Sequence, residues 1–135
     1  MIDDDSLLDA LAQTSFVVIG IVSGVAVRHD LSLTLLRVTA ILRDRALTMS
    51  ELAAYLGLDR STITGLVDRA SERGLLERVV NEADKRSSRV TLTAAGHKLA
   101  KRCAHEIALE LAPLTAKLNS ADRSRLARLL ENLHR

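Results

Sequence analysis

The fold is decided by residues 48–96, which read TMSELAAYLGLDRSTITGLVDRASERGLLERVVNEADKRSSRVTLTAAG. Thr48 and Glu51 have the spacing of a capping box, in which each side chain accepts from the other residue's backbone N–H, so a helix begins at Met49. Gly57 supplies the left-handed residue that ends a helix cleanly. Between them lies one apolar stripe, made of Leu52, Ala53 and Leu56.

A second helix follows after a three-residue turn. Asp59 is a good N-cap, and the spacing predicts a helix from about Arg60 to Arg73. Its core-facing stripe, at helical spacing, is Ile63, Leu66, Val67 and Ala70. The opposite side then carries Ser61, Gly65, Asp68 and Glu72, with Thr62, Thr64 and Arg69 on the flanks.

The outward N-terminal half of this helix is small, hydroxylated and uncharged apart from Arg60. Hydroxyls and backbone amides at a helix N-terminus can contact phosphates and base edges. Gly65 has two readings: close approach of the backbone to DNA, or a tolerated surface glycine. Asp68 and Glu72 would repel phosphates, so we expect contact to be confined to the first two turns and Arg69.

After Gly74, two short strands are predicted, at Leu75-Leu76-Glu77-Arg78-Val79-Val80 and Ser88-Arg89-Val90-Thr91-Leu92. The polar loop between them carries Asp84-Lys85-Arg86, and an arginine at a hairpin tip can enter a narrow minor groove. Alone, such a loop would be read as a solvated turn. Its place after the second helix instead favours the wing of a winged helix-turn-helix that binds DNA.

Amphipathic helices are predicted on both sides of this motif. After His97, the apolar stripe is Leu99, Cys103, Ile107, Leu111, Leu114 and Leu118, and a last helix carries Leu126, Leu130 and Leu133. Thr93 and Ser120 are suitable N-caps for these helices. Pro113 should bend the first of them near residues 109–112 without breaking it. This apolar surface exceeds what the small motif can cover, so we expect it to pair with a second subunit.

The N-terminal region combines an acidic start, at Asp3, Asp4, Asp5 and Asp9, with an apolar run from Phe16 to Val27. We interpret the acidic residues as a solvated tail. The run has 12 residues, too few to span a bilayer, and the start lacks the basic region of a secretion signal. We therefore expect a cytoplasmic protein with no membrane partner. Locally the run favours a strand, because it is rich in β-branched residues.

The length and composition limit the classes of protein to which the chain can belong. The chain has 135 residues, 47% of them hydrophobic and 1% aromatic, with a net charge of +2. This length and apolar content indicate one folded domain. Stacking on single-stranded nucleic acid is disfavoured, because it depends on aromatic platforms.

The sequence has few residues that could form a redox, metal or catalytic site. Cys103 is the single cysteine and has two readings, a peroxide-sensing thiol or a buried packing residue, and its place on the apolar stripe favours packing. His97, His105 and Glu106 have poor spacing for a metal site, so we expect no metal and no cofactor. No phosphate-binding loop, nucleophile elbow or carboxylate pair is present, and we predict that the protein is not an enzyme.

Several motifs together resemble the MarR family of bacterial transcription regulators: Ser50-Glu51-Leu52-Ala53, Leu58-Asp59-Arg60-Ser61-Thr62, Val67-Asp68-Arg69, Gly74-Leu75, Asp84-Lys85-Arg86 and Leu92-Thr93-Ala94-Ala95-Gly96. The resemblance implies a helical first segment and an obligate homodimer on a pseudo-palindromic operator. It also implies that Asp84 and Arg86 form a wing-tip signature, with the arginine reaching DNA. Gly65 departs from the pattern, because a longer polar or basic side chain is common there, as do Ala70 and Ser71 at the helix end.

The prediction is therefore a mainly α protein with a small β-wing. The winged helix-turn-helix part covers about 32–96, and dimerisation helices cover about 6–29 and 97–134. The predicted function is a DNA-binding regulator, most simply a repressor that a small ligand releases; the alternatives are a protein-interaction module and a redox sensor through Cys103. The expected DNA contacts are Ser50, Arg60, Ser61, Thr62, Thr64, Gly65, Arg69, Asp84, Lys85, Arg86 and Arg89.

Overall fold

A computed structural model describes residues 3–135, apart from the side chains of residues 81 and 84–87. In chain order its elements are α1 (Asp4–Arg28), α2 (Leu33–Leu42), β1 (Leu47–Thr48), α3 (Met49–Leu56), α4 (Arg60–Glu72), β2 (Leu76–Asn81), β3 (Asp84–Leu92), α5 (Ala94–Thr115) and α6 (Ser120–Asn132). The predicted class, a mainly helical fold with a small β-wing, is confirmed.

The sheet has three antiparallel strands in the order β1-β3-β2. The predicted hairpin of β2 and β3 is confirmed, with Leu76 opposite Leu92 in its register. The predicted loop at residues 81–87 is wrong in its bounds, because β2 extends to Asn81 and β3 already begins at Asp84. The strand β1 was not predicted, because two residues are too few to show a periodic pattern. It pairs Leu47 with Val90 and so joins the start of α3 to the base of the wing.

The hydrophobic core lies beneath the helix-turn-helix. Its largest fully buried side chains include Leu42, Leu52, Ile63, Leu76 and Val90, each from a different element. By contrast, α1 buries only Val25 and Ala26. The core is therefore that of the winged part, and most of α1 and all of α6 lie outside it.

The helix α1 is longer than the apolar run suggested and begins with a cap. The carboxylate of Asp3 accepts from the amide of Ser6 at 2.7 Å, and Asp4 and Asp5 lie in the first turn. These aspartates are exposed to solvent, as interpreted, but they are not a tail. Asp3 caps the helix, and Asp4 and Asp5 stabilise the positive end of its dipole. Residues 16–27 lie within this helix, as the resemblance implied and against the local preference for a strand.

By length and composition alone, α1 could cross a membrane. It has 25 residues, and its most apolar window has a mean hydropathy of 2.0. The argument from a run of 12 residues is therefore wrong, since Leu7, Leu8 and Leu11 extend the apolar surface toward the N-terminus. Core helices of soluble proteins pass the same test, so this property does not decide where the protein resides.

Two C-terminal helices are present, as predicted; in the predicted stripe of α5 Cys103 is buried, whereas the leucines of α6 are exposed. Thr93 caps α5, as predicted, and the helix runs through Pro113 without a break. The predicted cap of α6 is wrong by one residue: the side chain of Asn119, and not that of Ser120, accepts from the amide of Asp122, at 2.8 Å. Asn119 has the extended backbone that an N-cap requires, while Ser120 is already helical.

Candidate nucleic-acid interface

The helix α3 is fixed at both ends by the residues that the sequence indicated. The amide of Glu51 donates to Oγ1 of Thr48 at 3.1 Å, and the amide of Thr48 donates to Oε1 of Glu51 at 3.4 Å, which completes the capping box. Gly57 adopts a φ of 66°, the left-handed conformation that ends the helix. The turn into α4 is thus set by local interactions.

The helix α4 presents one apolar and one polar side. The predicted stripe of Ile63, Leu66, Val67 and Ala70 is buried. Ser61 and Thr62 are exposed, and Thr64 and Gly65 are partly exposed. Burial of the stripe therefore turns the hydroxylated N-terminal half of the helix toward solvent, where a duplex could reach it.

Asp59 organises the first turn of α4. Its Oδ1 accepts from the hydroxyl of Ser61 at 2.7 Å and from the amide of Thr62 at 2.8 Å. These hydrogen bonds, the one from Ser61 first, lower the pKa of Asp59 to about 2. The carboxylate is therefore charged throughout the neutral range and holds the predicted contact residue Ser61 in one orientation.

Thr64 is held in a similar way, because its hydroxyl donates to the carbonyl of Arg60 at 2.8 Å. The hydroxyl protons of Ser61 and Thr64 are thus already used within the helix, while their oxygens keep lone pairs. In this arrangement both residues can accept hydrogen bonds from the amino groups of bases. Donation to a phosphate would require them to exchange partners.

Arg60 and Ser50 are brought together, although they lie on different helices. Nη1 of Arg60 donates to the hydroxyl oxygen of Ser50 at 2.9 Å. This contact joins the first residue of α4 to the first turn of α3. The two predicted contact residues therefore form one polar corner at the edge of the helix-turn-helix.

The acidic residue Asp68 does not act as an isolated negative charge. Nη2 of Arg78 on β2 donates to its Oδ1 at 2.5 Å. The expected repulsion of phosphates by Asp68 is thereby offset, and Arg78 is a residue that the sequence did not single out. Its partner lies 10 residues away across the turn into β2, a distance at which helical spacing gives no signal.

The strand β3 places Arg89 at the base of the wing. Nη1 of Arg89 donates to the carbonyl of Ala46 at 3.2 Å and lies 3.9 Å from Oε1 of Glu51. Arg89 therefore braces β1 and α3 at the base of the wing, a structural role that the sequence did not suggest. The side chains of Asp84, Lys85 and Arg86 lie outside the described residues, so their predicted contacts stay predictions.

A second arginine near the interface was also missed by the sequence reading. Cζ of Arg45 lies 5.7 Å from the ring centroid of Tyr55, the distance of a cation–π contact. Arg45 precedes β1 and Tyr55 lies near the end of α3. A basic residue ten positions before an aromatic one is a weak sequence signal, and the contact arises because the chain turns back through β1.

An apolar cavity lies away from this surface, between α1, α2 and α5. It has a volume of about 600 Å³, and its wall includes Val22, Leu36, Ala104 and Ile107. Arg37 of α2 and Arg43, the C-cap of that helix, are also among the residues that line it.

Cys103 is part of the wall of this cavity and is 1% exposed. Burial, and secondarily the charge of Glu106, raise the pKa of its thiol. A buried thiol with a raised pKa reacts slowly, because the thiolate is the reactive form. This position agrees with a packing role.

Of the residues considered for a metal site, Glu106 is engaged in another contact. Glu106 pairs with Nε2 of His29 at 2.5 Å and so joins the end of α1 to α5. A neighbouring ion pair between Arg28 and Glu110 reinforces the same junction. Within residues 3–135, no cluster of histidine, cysteine and acidic side chains that could hold a metal is found.

Comparison with known proteins finds a matching family model, a curated relative and solved structures of similar fold. Residues 29–87 match the family model described as MarR family. A candidate transcriptional regulatory protein for the hcr operon of Thauera aromatica is 30% identical over 89 residues, which are 66% of this chain and 54% of that protein. The chain thus spans about half the length of this curated relative.

Solved structures resemble the chain over nearly its whole length. Wild-type MarR of Escherichia coli in its apo form matches with a TM-score of 0.76 and 24% identity, covering 98% of each chain. CouR of Rhodococcus jostii, bound to p-coumaroyl-CoA, matches with a TM-score of 0.77 and 25% identity, covering 97% of this chain and 92% of CouR. The winged helix-turn-helix with flanking helices is therefore the fold of MarR regulators.

Proposed function

We propose that the chain is a transcriptional regulator of the MarR family and acts by sequence-specific binding to double-stranded DNA. Residues 29–87 match the model of this family, whose members are transcriptional regulators and not enzymes. One observation carries this proposal. The apolar stripe of α4 is buried, so its hydroxylated N-terminal half faces solvent beside Arg60, at the place where a recognition helix meets the major groove.

The proposed contacts divide into two groups. The corner formed by Ser50 and Arg60, with Arg69 further along the helix, supplies contacts to phosphates and to bases. Lys85 and Arg86, at the start of β3 beside the turn of the wing, enter the adjacent minor groove, with Asp84 fixing the arginine; this part rests on the family resemblance. Contacts of both kinds would orient the protein on a duplex and select a sequence.

We propose that the active form is a homodimer. Large apolar side chains remain exposed on the helices outside the winged core, among them Leu8 and Phe16 on α1, Leu109 on α5, and Leu129 and Leu133 on α6. Contiguous apolar surface of this kind is usually covered by a partner. A two-fold pair would place two α4 helices about one helical turn of DNA apart, which fits a pseudo-palindromic operator.

The dimer is tested by light scattering on the full chain and on Leu129→Glu, which places a charge in the exposed apolar surface of α6. We expect the wild type to have the mass of two chains, and the variant to shift toward one chain and lose DNA affinity. A wild type with the mass of one chain at micromolar concentration would contradict the proposal.

We further propose that a small ligand controls DNA binding from the cavity between α1, α2 and α5. The cavity is apolar and has Arg37 and Arg43 among its lining residues, so it suits a mainly apolar molecule that carries an anionic group. Its lining contains no aromatic side chain on which a planar ligand could stack. A ligand here shifts DNA binding only if it favours one spacing of the two α4 helices.

The effector proposal is tested with hexanoate, decanoate and benzoate as probes. Each is titrated into a complex of the protein with fluorescent DNA, and release of the DNA is followed by anisotropy. Ala104→Phe fills the cavity, so we expect it to abolish the response to these probes while preserving DNA binding. An unchanged response in Ala104→Phe would place the ligand elsewhere.

A cytoplasmic location and repression follow from the same proposal, since a DNA-binding protein must reach the chromosome and a dimer on an operator would block transcription. A reporter gene behind the bound sequence tests the sign of regulation. Repression predicts that reporter expression rises when the protein is deleted. A fall in expression would identify an activator.

DNA binding itself is tested by titrating the protein against genomic duplex fragments at several salt concentrations. We expect sequence preference and a steep decrease of affinity with salt, because phosphate contacts release counterions. Arg86→Ala should lose about 1–3 kcal/mol of binding free energy for a specific contact. Lys101→Ala, on an exposed part of α5, is the matched control. Binding without sequence preference, unaffected by Arg86→Ala, would favour a protein-interaction module.

A further inference from the structure

The centre of the outward face of α4 is occupied by an arginine from the next turn. A Cβ built on Gly65 would lie 3.1 Å from Nη1 of Arg69, and 3.9 Å from both Cζ and Nη2. The guanidinium of Arg69 therefore folds back over Gly65, as helical side chains do when they point toward the N-terminus. The missing side chain at residue 65 creates the space in which this guanidinium lies.

This guanidinium has no protein partner within the described part of the chain. Other arginines near α4 are engaged: Arg60 donates to Ser50, Arg73 to the carbonyl of Asp30, and Arg78 to Asp68. Arg69 forms no such hydrogen bond or ion pair with the described residues and is exposed. Its donors are therefore available to an acceptor outside the protein.

The electrostatic surroundings favour an acceptor. Asp68, the acidic neighbour of Arg69, is paired with Arg78. Arg60, one turn before Gly65 and toward the N-terminus, adds positive charge. The guanidinium of Arg69 lies over the centre of the outward face. The sequence spacing alone predicts Arg69 on the flank of the helix.

We propose that Arg69, seated over Gly65, is the base-reading residue of the recognition helix and selects a guanine in the major groove. The planar guanidinium fits the O6 and N7 acceptors of guanine in a bidentate manner, whereas an ammonium group does not. Gly65 acts as a positioning residue, because its lack of a side chain lets the arginine head reach the middle of the face. This inference rests on the proposed DNA binding.

The test begins with selection of bound sequences from random duplexes by the full-length wild type, Arg69→Ala and Arg69→Lys. The wild type should select a guanine at one position of each half-site. Arg69→Ala should lose that preference alone, with an affinity loss for the selected site of about tenfold or more. Arg69→Lys should not restore it. A loss of affinity that is equal for all sequences would overturn the inference, because it would make Arg69 a phosphate contact.

The variant Gly65→Ala tests whether Gly65 acts by leaving space for the guanidinium of Arg69 or by contacting DNA itself. Alanine favours helix over glycine, so the variant should resist denaturation better than the wild type. Its Cβ should nevertheless displace the head of Arg69 and weaken binding to the selected site. In the Arg69→Ala background the same change should have no further effect on binding. An equal effect in both backgrounds would overturn the inference, since Gly65 itself would then contact DNA.

A change in the DNA gives an independent measurement. Replacing the selected guanine by 7-deazaguanine removes the N7 acceptor and leaves base pairing intact. Wild-type affinity should fall, whereas Arg69→Ala should not respond; an unaffected wild type would overturn the inference. If the wild type selects no sequence at all, the proposed DNA-binding function itself is overturned, an outcome distinct from those above.

Discussion

The guanidinium of Arg73 donates a hydrogen bond to the backbone carbonyl of Asp30, with Nη1 and the oxygen 2.8 Å apart. Arg73 is the C-cap of α4, and Asp30 lies in the turn between α1 and α2, where it adopts a positive φ of 54°. The adjacent residue of that turn, His29, is paired with Glu106 on α5. The far end of α4 is thus fastened to the junction of the helices outside the winged core.

We predict that Arg73→Gln lowers the free energy of unfolding by about 1 kcal/mol, because the carbonyl of Asp30 loses a charged donor at an exposed site. Chemical denaturation followed by circular dichroism measures this. DNA affinity should fall as well, since the orientation of α4 becomes less restricted. Lys101→Gln removes a charge from an exposed position and is the control, for which both quantities should stay the same.

The residues that could be predicted from sequence are those whose partners are near in the chain. The caps Thr48, Asp59 and Thr93 bond to amides three residues away, so their spacing alone identifies them. The pairs that the sequence did not reveal join distant residues: Arg73 and Asp30 are 43 positions apart, and His29 and Glu106 are 77 apart. No periodic pattern records such contacts, because they depend on how the helices pack.

In the candidate site, too, some features could be predicted from the spacing of residues and others could not. Burial of Ile63 and Leu66 follows from helical periodicity, and with it the exposure of Ser61 and Thr62. The seat of Arg69 over Gly65 does not follow, because it depends on the rotamer that a long side chain adopts across an open space. The sequence marked Gly65 as a departure from the family pattern, and the structure supplies a physical reason for it.

We predict that Gly96→Ala is strongly destabilising. A Cβ at this position would lie 2.1 Å from the carbonyl oxygen of Leu75, a backbone atom that cannot move without shifting the strand entry. We expect a loss of about 2 kcal/mol or more, at the level of an overpacked core. The denaturation midpoint should fall, whereas that of Gly65→Ala should rise. Equal midpoints for Gly96→Ala and the wild type would show that α5 can slide away from Leu75.

The pair of His29 and Glu106 predicts a pH dependence of stability. The hydrogen bond from His29, assisted by Arg28 and Arg102 and opposed by burial, lowers the pKa of Glu106 from its ordinary value of 4.5. A lowered carboxyl pKa contributes stability that is present above the unfolded-state value and is lost as the pH falls through the folded-state value. Glu106→Gln should therefore flatten the stability profile at and below pH 4.5.

His29→Gln should flatten the same part of the profile, because it removes the partner that lowers the pKa of Glu106. Glu72→Gln, on the exposed side of α4, serves as the control and should leave the profile unchanged. Stability is measured by urea denaturation in buffers from neutral pH downward. If both variants at the pair retained the wild-type acid profile, this contact would not contribute to the folded state.

The last prediction concerns the reactivity of Cys103, which distinguishes a packing role from thiol-based sensing. Because its side chain is buried and its pKa is raised, chiefly by that burial, we expect native protein to react slowly with a disulfide reagent such as Ellman's reagent. The rate should rise steeply in urea, in step with the loss of circular dichroism, since unfolding exposes the thiol. Rapid, stoichiometric labelling of the native protein would instead show that the thiol is accessible through the cavity that it lines, and the redox-sensor alternative would then gain support.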